Sequence, residues 1–255
     1  MTAFFDALTF LTRVPLVRAR RADLSDVAAA QAWFVPVGLL IGLALLGVDR
    51  LCALALPAQS VAVVDVLALA VFTGALHLDG LADTADGLLG GYDRERRLTI
   101  MRDTRAGTYA VVAIVAVLAL KWAGIGALPG NARFEVLVLT PAAARFAMLA
   151  VIATYPYARE SGVGAGFRDA ATPVPLVAGA VISLGASVLL FGPAGVYVLL
   201  FAISCGLAVG AASTALVGGV TGDVYGAALE IAEACMFVYV AALAQHRWLG
   251  AWVLR

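Results

Sequence analysis

Charge is what this sequence has little of. Its 255 residues include 17 Lys+Arg and 17 Asp+Glu, so 13% are charged, while 63% are hydrophobic. A soluble domain is about a quarter charged and about half apolar, and a mean hydropathy of +0.97 departs in the same direction. Such a chain is neither disordered nor a coiled coil. A formal net charge of zero supplies no field for neutralising phosphates along a nucleic acid, so no nucleic-acid partner is expected. Cysteine is scarce too: Cys52, Cys205 and Cys235 each lie in an apolar run with no second Cys or His at ligand spacing. That excludes a disulfide scaffold and a thiolate metal site, and leaves small buried hydrophobes. No Walker or Rossmann fingerprint and no arguable Ser-His-Asp or Cys-His set is present. The opening Met1–Val17 is amphipathic, without a basic region followed by an uninterrupted apolar core, so no signal peptide is expected.

What is there is long apolar runs. A bilayer crossing takes about 20 mostly apolar residues, and seven candidates appear at about 32–48, 59–78, 110–128, 134–155, 174–191, 195–217 and 224–245. The expected fold is an all-α, polytopic membrane helix bundle of about seven crossings, with residues 1–255 forming a single membrane-embedded catalytic domain. Basic residues set the orientation. Arg13, Arg18, Arg20 and Arg21 precede the first span, and such residues are retained in the cytoplasm. Alternating from there, the 79–109 and 156–173 loops fall on the same face, which carries eleven basic residues. The opposite face has Arg50, Arg133, Arg247 and Arg255. The 79–109 loop, the glycine-rich 161–166 loop and the Gly218–Asp223 turn thereby share the cytoplasmic face, where they can build one site.

The scarce charge is also concentrated. Residues 77–109 hold six acids and five bases. Within them Asp79, Asp83 and Asp86 are spaced i, i+4, i+7, which puts all three within a narrow arc of a helix. Like charges at that spacing repel, more so where solvation is poor, and a divalent cation offsets the repulsion directly. Oxygen-only ligands select a hard ion, Mg²⁺ or Mn²⁺, and Mg²⁺ completes its shell with water and substrate phosphates. The stripe therefore points to phosphoryl or pyrophosphate chemistry. His77, just before it, is a candidate base or a polar anchor at the membrane boundary.

A second cluster is Gly218-Gly-Val-Thr221-Gly222-Asp223, followed by Glu230 and Glu233. Glycines with Thr and Asp at a helix start offer free N–H groups and a cap, a ready anion site. Acids inside a span are expensive and mark function. Glu230 and Glu233 are read either as a second cation site facing the Asp79 stripe or as a structural polar pair. Arginine suits a bidentate grip on phosphate. Arg102 and Arg105 lie just before a span, whereas Arg145 lies inside one, where it either grips phosphate or pairs with Glu230 or Glu233.

Taken together, His77-Leu-Asp79-Gly-Leu-Ala-Asp83-Thr-Ala-Asp86-Gly, Ile100-Met-Arg-Asp103-Thr-Arg105-Ala-Gly107-Thr and Gly219-Val-Thr221-Gly-Asp223 with Gly226-Ala and Glu230 closely resemble the cobalamin synthase (adenosylcobinamide-GDP ribazoletransferase) family. The likeness runs from Thr12-Arg13-Val-Pro15 through Pro36-Val-Gly38 to the Glu233 region. Departures are small: Val35-Pro36-Val37 replaces a Phe-Pro-Leu tendency, and Ala110 stands where glycine often follows Gly-Thr-Tyr. The resemblance implies a Mg²⁺-dependent transferase of a prokaryotic inner membrane that faces the cytoplasm. It would join adenosylcobinamide-GDP to α-ribazole or its 5′-phosphate, releasing GMP in the last assembly of the cobalamin nucleotide loop.

On that implication Asp79, Asp83, Asp86 and Glu230 are candidate Mg²⁺ ligands, and Asp83, Asp223 and Arg105 are the catalytic candidates. Arg102, Thr221, Gly222, Gly107 and His77 are candidate substrate-binding positions, with Asp223 or Glu230 orienting or deprotonating the attacking hydroxyl. Expected partners are the two substrates and membrane lipid, and oligomerisation is left open. Two other enzyme classes share the logic of clustered aspartates. CDP-alcohol phosphotransferases begin Asp-Gly-x-x-Ala-Arg, an arginine this sequence lacks. UbiA-like prenyltransferases need a second aspartate motif, which is absent here. A proton- or ion-coupled transporter is disfavoured by charge gathered at one face and by the lack of an inverted repeat.

Overall fold

The computed structural model describes residues 2–13, 30–160, 164, 166–167 and 173–246. Arg18, Arg20, Arg21, Arg168, Arg247 and Arg255, which entered the orientation argument, lie outside the described residues, as does most of the glycine-rich 161–166 loop. Among the described residues there is no strand, only one isolated bridge between Tyr157 and Val220. The helices in chain order are α1 (Thr2–Leu11), a 3₁₀ turn at Ala30–Trp33, α2 (Phe34–Cys52), α3 (Ala58–Thr73), α4 (Leu76–Gly90), α5 (Arg94–Ile100), α6 (Thr108–Ala127), α7 (Arg133–Thr154), α8 (Pro173–Phe191), α9 (Ala194–Val217) and α10 (Gly222–Gln245).

The protein is an all-α polytopic membrane bundle. Helices α2 (with its 3₁₀ lead-in), α6, α7, α8, α9 and α10 are each long and apolar enough to cross a membrane. Helices α3 and α4 add a seventh if the bent pair is counted as one broken span. Valines and leucines such as Val111, Val115, Val181, Leu189 and Leu200 stay exposed on the outer helices, as a lipid-facing surface requires.

Helix α7 is the central post and is buried along nearly its whole length. It is buried by small residues, because lipid gives helices no hydrophobic reason to associate and close backbone approach must do the work. Gly38 of α2 lies so near that an added Cβ would be 2.6 Å from the Ala142 Cα. Ala142, Ala143 and Ala144 are fully buried. Arg133, at the start of α7, donates to Asp49 at the end of α2 (2.7 Å from Nε) and to Asp65 of α3 (3.0 Å). Gln59 at the start of α3 donates to Gly126 at the end of α6 (3.3 Å). These contacts mark one end of the bundle, the far end. The starts of α6 and α10 and the end of α7 lie at the other, the acidic end.

One expected span is corrected. The run at 59–78 does not continue as one helix: α3 ends at Thr73, and α4 leaves it at 92°. The break is made by Gly74 (φ 61°) and Ala75 (φ 57°), both left-handed. Gly74 suits that conformation, while Ala75 is held there at a cost of about 1–3 kcal/mol. The Arg13 N–H, at the end of α1, donates to the Phe72 carbonyl (2.8 Å) and fastens the turn. Helix α4 then lies across the acidic end with most of its residues buried, so the aspartate stripe sits on a packed helix and not on a loop.

Candidate active site

Two close approaches fix α4 against α10. A Cβ on Gly80 would lie 2.7 Å from the Asp223 carbonyl oxygen, and one on Gly226 would lie 3.1 Å from that of His77. The helices touch backbone to backbone, which brings the start of the stripe to the N-terminus of α10. Thr221 caps that N-terminus: its hydroxyl oxygen accepts from the Val224 N–H and its hydroxyl donates to Asp223 Oδ2 (3.1 Å). The segment after α7 is laid beside it by two hydrogen bonds, Ala158 N–H to Val220 O and Val220 N–H to Pro156 O, each 2.8 Å. Arg159 thereby reaches Asp223 Oδ2 at 3.0 Å. Gly164 packs against the Gly222 nitrogen, so the described part of the glycine-rich loop joins the same place. The three segments expected to converge do converge.

Along the stripe the aspartates differ. Asp79 is exposed, Asp83 half-buried and Asp86 buried. Burial, then the nearby carboxylates of Asp223 and Asp79, push the Asp83 carboxyl up to about 6 against the pull of Arg159. Asp79 and Asp223 thus gather about Asp83, with Arg159 the base that acts on it among the described residues.

Asp86 does something else. Its Oδ2 accepts the Gly107 N–H, and its Oδ1 accepts the Ala110 N–H at 2.9 Å, so it caps the N-terminus of α6 from across the chain. A Cβ on Gly107 would lie 2.8 Å from Asp86 Oδ1, which explains that glycine as a close-approach residue and not as a substrate contact. Among the described residues no three His, Cys, Asp or Glu side chains close on one point. Of the three expected ligands Asp79, Asp83 and Asp86, the last has both carboxylate oxygens engaged by the start of α6, while Asp79 and Asp83 stand beside Asp223.

Glu230 also leaves the expected ligand set. It lies in the bundle, 3% exposed, with Lys121 Nζ 2.6 Å away, and the same nitrogen is 2.5 Å from Glu233. Arg145 Nη1 stands 3.6 Å from Glu233 and donates to the Pro141 carbonyl (2.8 Å). Of the two readings open for this pair, the structural one is what the bundle contains: two buried acids answered by two buried bases.

The basic candidates separate. Arg105 is 88% exposed, and both its Nε and Nη2 donate to Asp103 (3.1 and 3.0 Å), so it turns away from the carboxylates. Arg102 lines a polar groove of about 470 Å³ with Arg94, Glu95, Arg159 and Glu160, adjoining the acids through Arg159. Arg159 is the residue the sequence did not single out, because nothing in its spacing separates it from other loop arginines.

Beside the carboxylates lies a cavity of about 200 Å³ whose lining includes Asp79, His77, Gly222 and Asp223. His77 is 3% exposed, and neither ring nitrogen has a hydrogen-bond partner. Burial first, then the charges of Arg145 and Lys121, hold its imidazole neutral, well below its ordinary range. The aromatic lining of this cavity comes from Phe10, Phe34, Phe167 and Tyr225, none of which the sequence pattern marks.

The profile of the family described as Cobalamin-5-phosphate synthase matches residues 3–241. An adenosylcobinamide-GDP ribazoletransferase of Pseudomonas paraeruginosa (strain DSM 24068 / PA7) is 39% identical over 238 residues, covering 92% of this chain and 96% of that protein. One of Geotalea daltonii (strain DSM 22248 / JCM 15807 / FRC-32) is 36% identical over 242 residues, covering 93% and 96%. One of Pseudomonas syringae pv. syringae (strain B728a) is 38% identical over 248 residues, covering 95% and 100%. No solved structure matches.

Proposed function

The chain belongs to the cobalamin-5-phosphate synthase family, and from that premise we propose that its acidic end joins adenosylcobinamide-GDP to α-ribazole, or to α-ribazole 5′-phosphate, with release of GMP. The observation that carries the reading is the gathering of Asp79, Asp83 and Asp223 around one arginine, an excess of negative charge beside a cavity. A free ribose hydroxyl of the ribazole, other than the 5′-oxygen that carries phosphate in the 5′-phosphate substrate, forms a new oxygen–phosphorus bond at the cobinamide-linked phosphorus. The bridging oxygen of the diphosphate departs with GMP, and the hydroxyl proton passes to a carboxylate.

Such a displacement needs positioning and charge neutralisation more than covalent help. Asp79 and Asp83 fit Mg²⁺ by chemistry: oxygen donors only, two in number, with a carboxyl whose protonation is favoured by like charge and which a cation would ionise. When bound, the ion neutralises diphosphate oxygens and sharpens the electrophile. Asp223, steadied by Thr221 and Arg159, orients the attacking hydroxyl and accepts its proton. Arg102 and Arg159, in the polar groove, hold the phosphate of the leaving GMP. The reaction is placed at the cytoplasmic face of the inner membrane, in keeping with the arginines of the 79–109 segment and with the nucleotide substrate.

The test is direct. Purified protein in detergent with adenosylcobinamide-GDP, α-ribazole and Mg²⁺ is expected to release GMP in step with formation of the joined corrinoid, and to stop on addition of a chelator. Formation of product with undiminished rate in excess chelator would refute the role given to Asp79 and Asp83.

A further inference from the structure

The cavity beside the carboxylates is built of parts that the phosphate chemistry does not use. Its rings come from four separate segments: Phe10 from α1, Phe34 from α2, Phe167 from the segment before α8, and Tyr225 from α10. Phe34 and Phe167 meet edge to face at 5.9 Å, Phe10 lies parallel to Phe34 at 6.0 Å, and Phe167 meets Tyr225 edge-on at 6.5 Å. Met148 and Ile152 of α7 add apolar wall. Besides the Tyr225 hydroxyl, the polar side chain set into this apolar space is His77, buried and without a partner on either nitrogen. Buried polar groups are nearly always hydrogen-bonded, and an orphan in a folded protein calls for a ligand. At the mouth stand Asp79 and Asp223.

We propose that this cavity seats the base of the nucleoside substrate, with a ring N–H of His77 donating to the one free ring nitrogen of that base. The inference rests on the reading above and deepens it by assigning the place of one substrate. The ribazole base, dimethylbenzimidazole, is a flat bicycle with two methyl groups. Once its other nitrogen carries the ribose, it presents one hydrogen-bond acceptor and no donor. His77 has an unpartnered ring N–H to give, so one donor meets one acceptor. The methylated edge meets phenylalanine, methionine and isoleucine. Guanine, the ring of the leaving nucleotide, is a poor match: it carries several donors and a carbonyl that phenylalanine rings leave unsatisfied. The corrin of the other substrate is far too large for about 200 Å³. With the base seated, the ribose lies toward Asp79 and Asp223, where its attacking hydroxyl meets Asp223 and the diphosphate held at Asp79 and Asp83.

Initial rates of GMP release, with each substrate varied in turn, test the assignment in wild type, His77→Leu, His77→Gln and Ile152→Trp. Loss of one hydrogen bond in an apolar site is worth about tenfold. His77→Leu is therefore expected to raise the KM for α-ribazole about tenfold, leave the KM for adenosylcobinamide-GDP unchanged, and leave the thermal transition unchanged or higher. His77→Gln, which restores a donor, recovers part of the loss, and Ile152→Trp fills the cavity and raises the same KM. Free dimethylbenzimidazole is expected to inhibit wild type competitively against α-ribazole and to bind wild type in equilibrium dialysis. A KM change confined to the corrinoid or shared equally by both substrates, non-competitive inhibition by the base, or competition by guanosine in its place would overturn the assignment while leaving the reaction standing. Absence of GMP from wild type would overturn the reaction instead, and dialysis of the base would still read the cavity.

Discussion

Two groups of acids sit little more than two helical turns apart on α10, and they are treated in opposite ways. In the middle of the bundle Glu230 and Glu233 share Lys121 and stand near Arg145. Acids and bases match in number, and all four are buried. At the acidic end Asp79, Asp83 and Asp223 have, among the described residues, Arg159 as their counter-charge, and Asp86 is spent on capping α6. The balanced group behaves as an internal tie between α6, α7 and α10. The unbalanced group has charge to spare for a ligand. A buried acid in a membrane protein is thus no guide to function until its counter-charge is counted.

The comparison can be broken or sharpened in several ways. The largest effect is expected from Asp83→Asn, which removes charge from the unbalanced group. GMP release should fall about 10³-fold, while the thermal transition in the absence of divalent cations stays the same or rises, because like-charge repulsion is relieved. Next comes Lys121→Met in the balanced group, which leaves two buried carboxylates with Arg145 as their one base and is expected to cost about 3–5 kcal/mol of stability, read as loss of folded protein in a detergent thermal scan. If this variant folds as well as wild type, the distinction between the two groups fails. Arg159→Leu should lower kcat/KM about 10²-fold, since it releases Asp223 and removes a cation beside the phosphates. It should change stability far less than Lys121→Met.

The pH dependence follows from Asp83. Its carboxyl is raised in the folded protein from 3.8 to about 6. Between those values the native form holds a proton that the unfolded chain releases. Metal-free stability contributed by this group is therefore fully present below about 4 and lost as pH rises through about 6. Because proton and cation compete for it, the Mg²⁺ concentration needed for half-maximal rate should climb as pH falls below 6, and Asp83→Asn should flatten the stability profile. The smallest effect is expected from Arg105→Ala: its exposed pair with Asp103 is worth little, and the rate should stay within about twofold in the GMP assay.

The sequence carried the bundle well and the site in part. Apolar runs set six of the seven expected crossings to within a few residues, since hydrocarbon thickness leaves little freedom in length. The seventh was overrun because Gly74-Ala75 interrupts an apolar stretch by backbone conformation alone, which hydropathy does not register. The i, i+4, i+7 stripe was legible as a face, yet spacing along one helix does not say what stands opposite. The backbone N–H groups of Gly107 and Ala110 claim Asp86, and Lys121, more than a hundred residues from its partners in sequence, claims Glu230. Arg159 and the rings of Phe10, Phe34 and Phe167 come together only through tertiary packing, with no periodicity to announce them. Arg102 and Arg105 looked equivalent in sequence. A partner two residues away takes Arg105, whereas Arg102 lines the groove beside Arg159.

The most direct measurement is thermal stability of the purified protein at pH 7.5 in rising Mg²⁺ or Mn²⁺, compared between wild type and Asp83→Asn with no substrate present. The excess carboxylates predict a saturable rise in the wild-type transition that Asp83→Asn abolishes. A wild-type transition indifferent to either ion, or an equal rise in the variant, would contradict the claim that the acidic end is built to receive a cation.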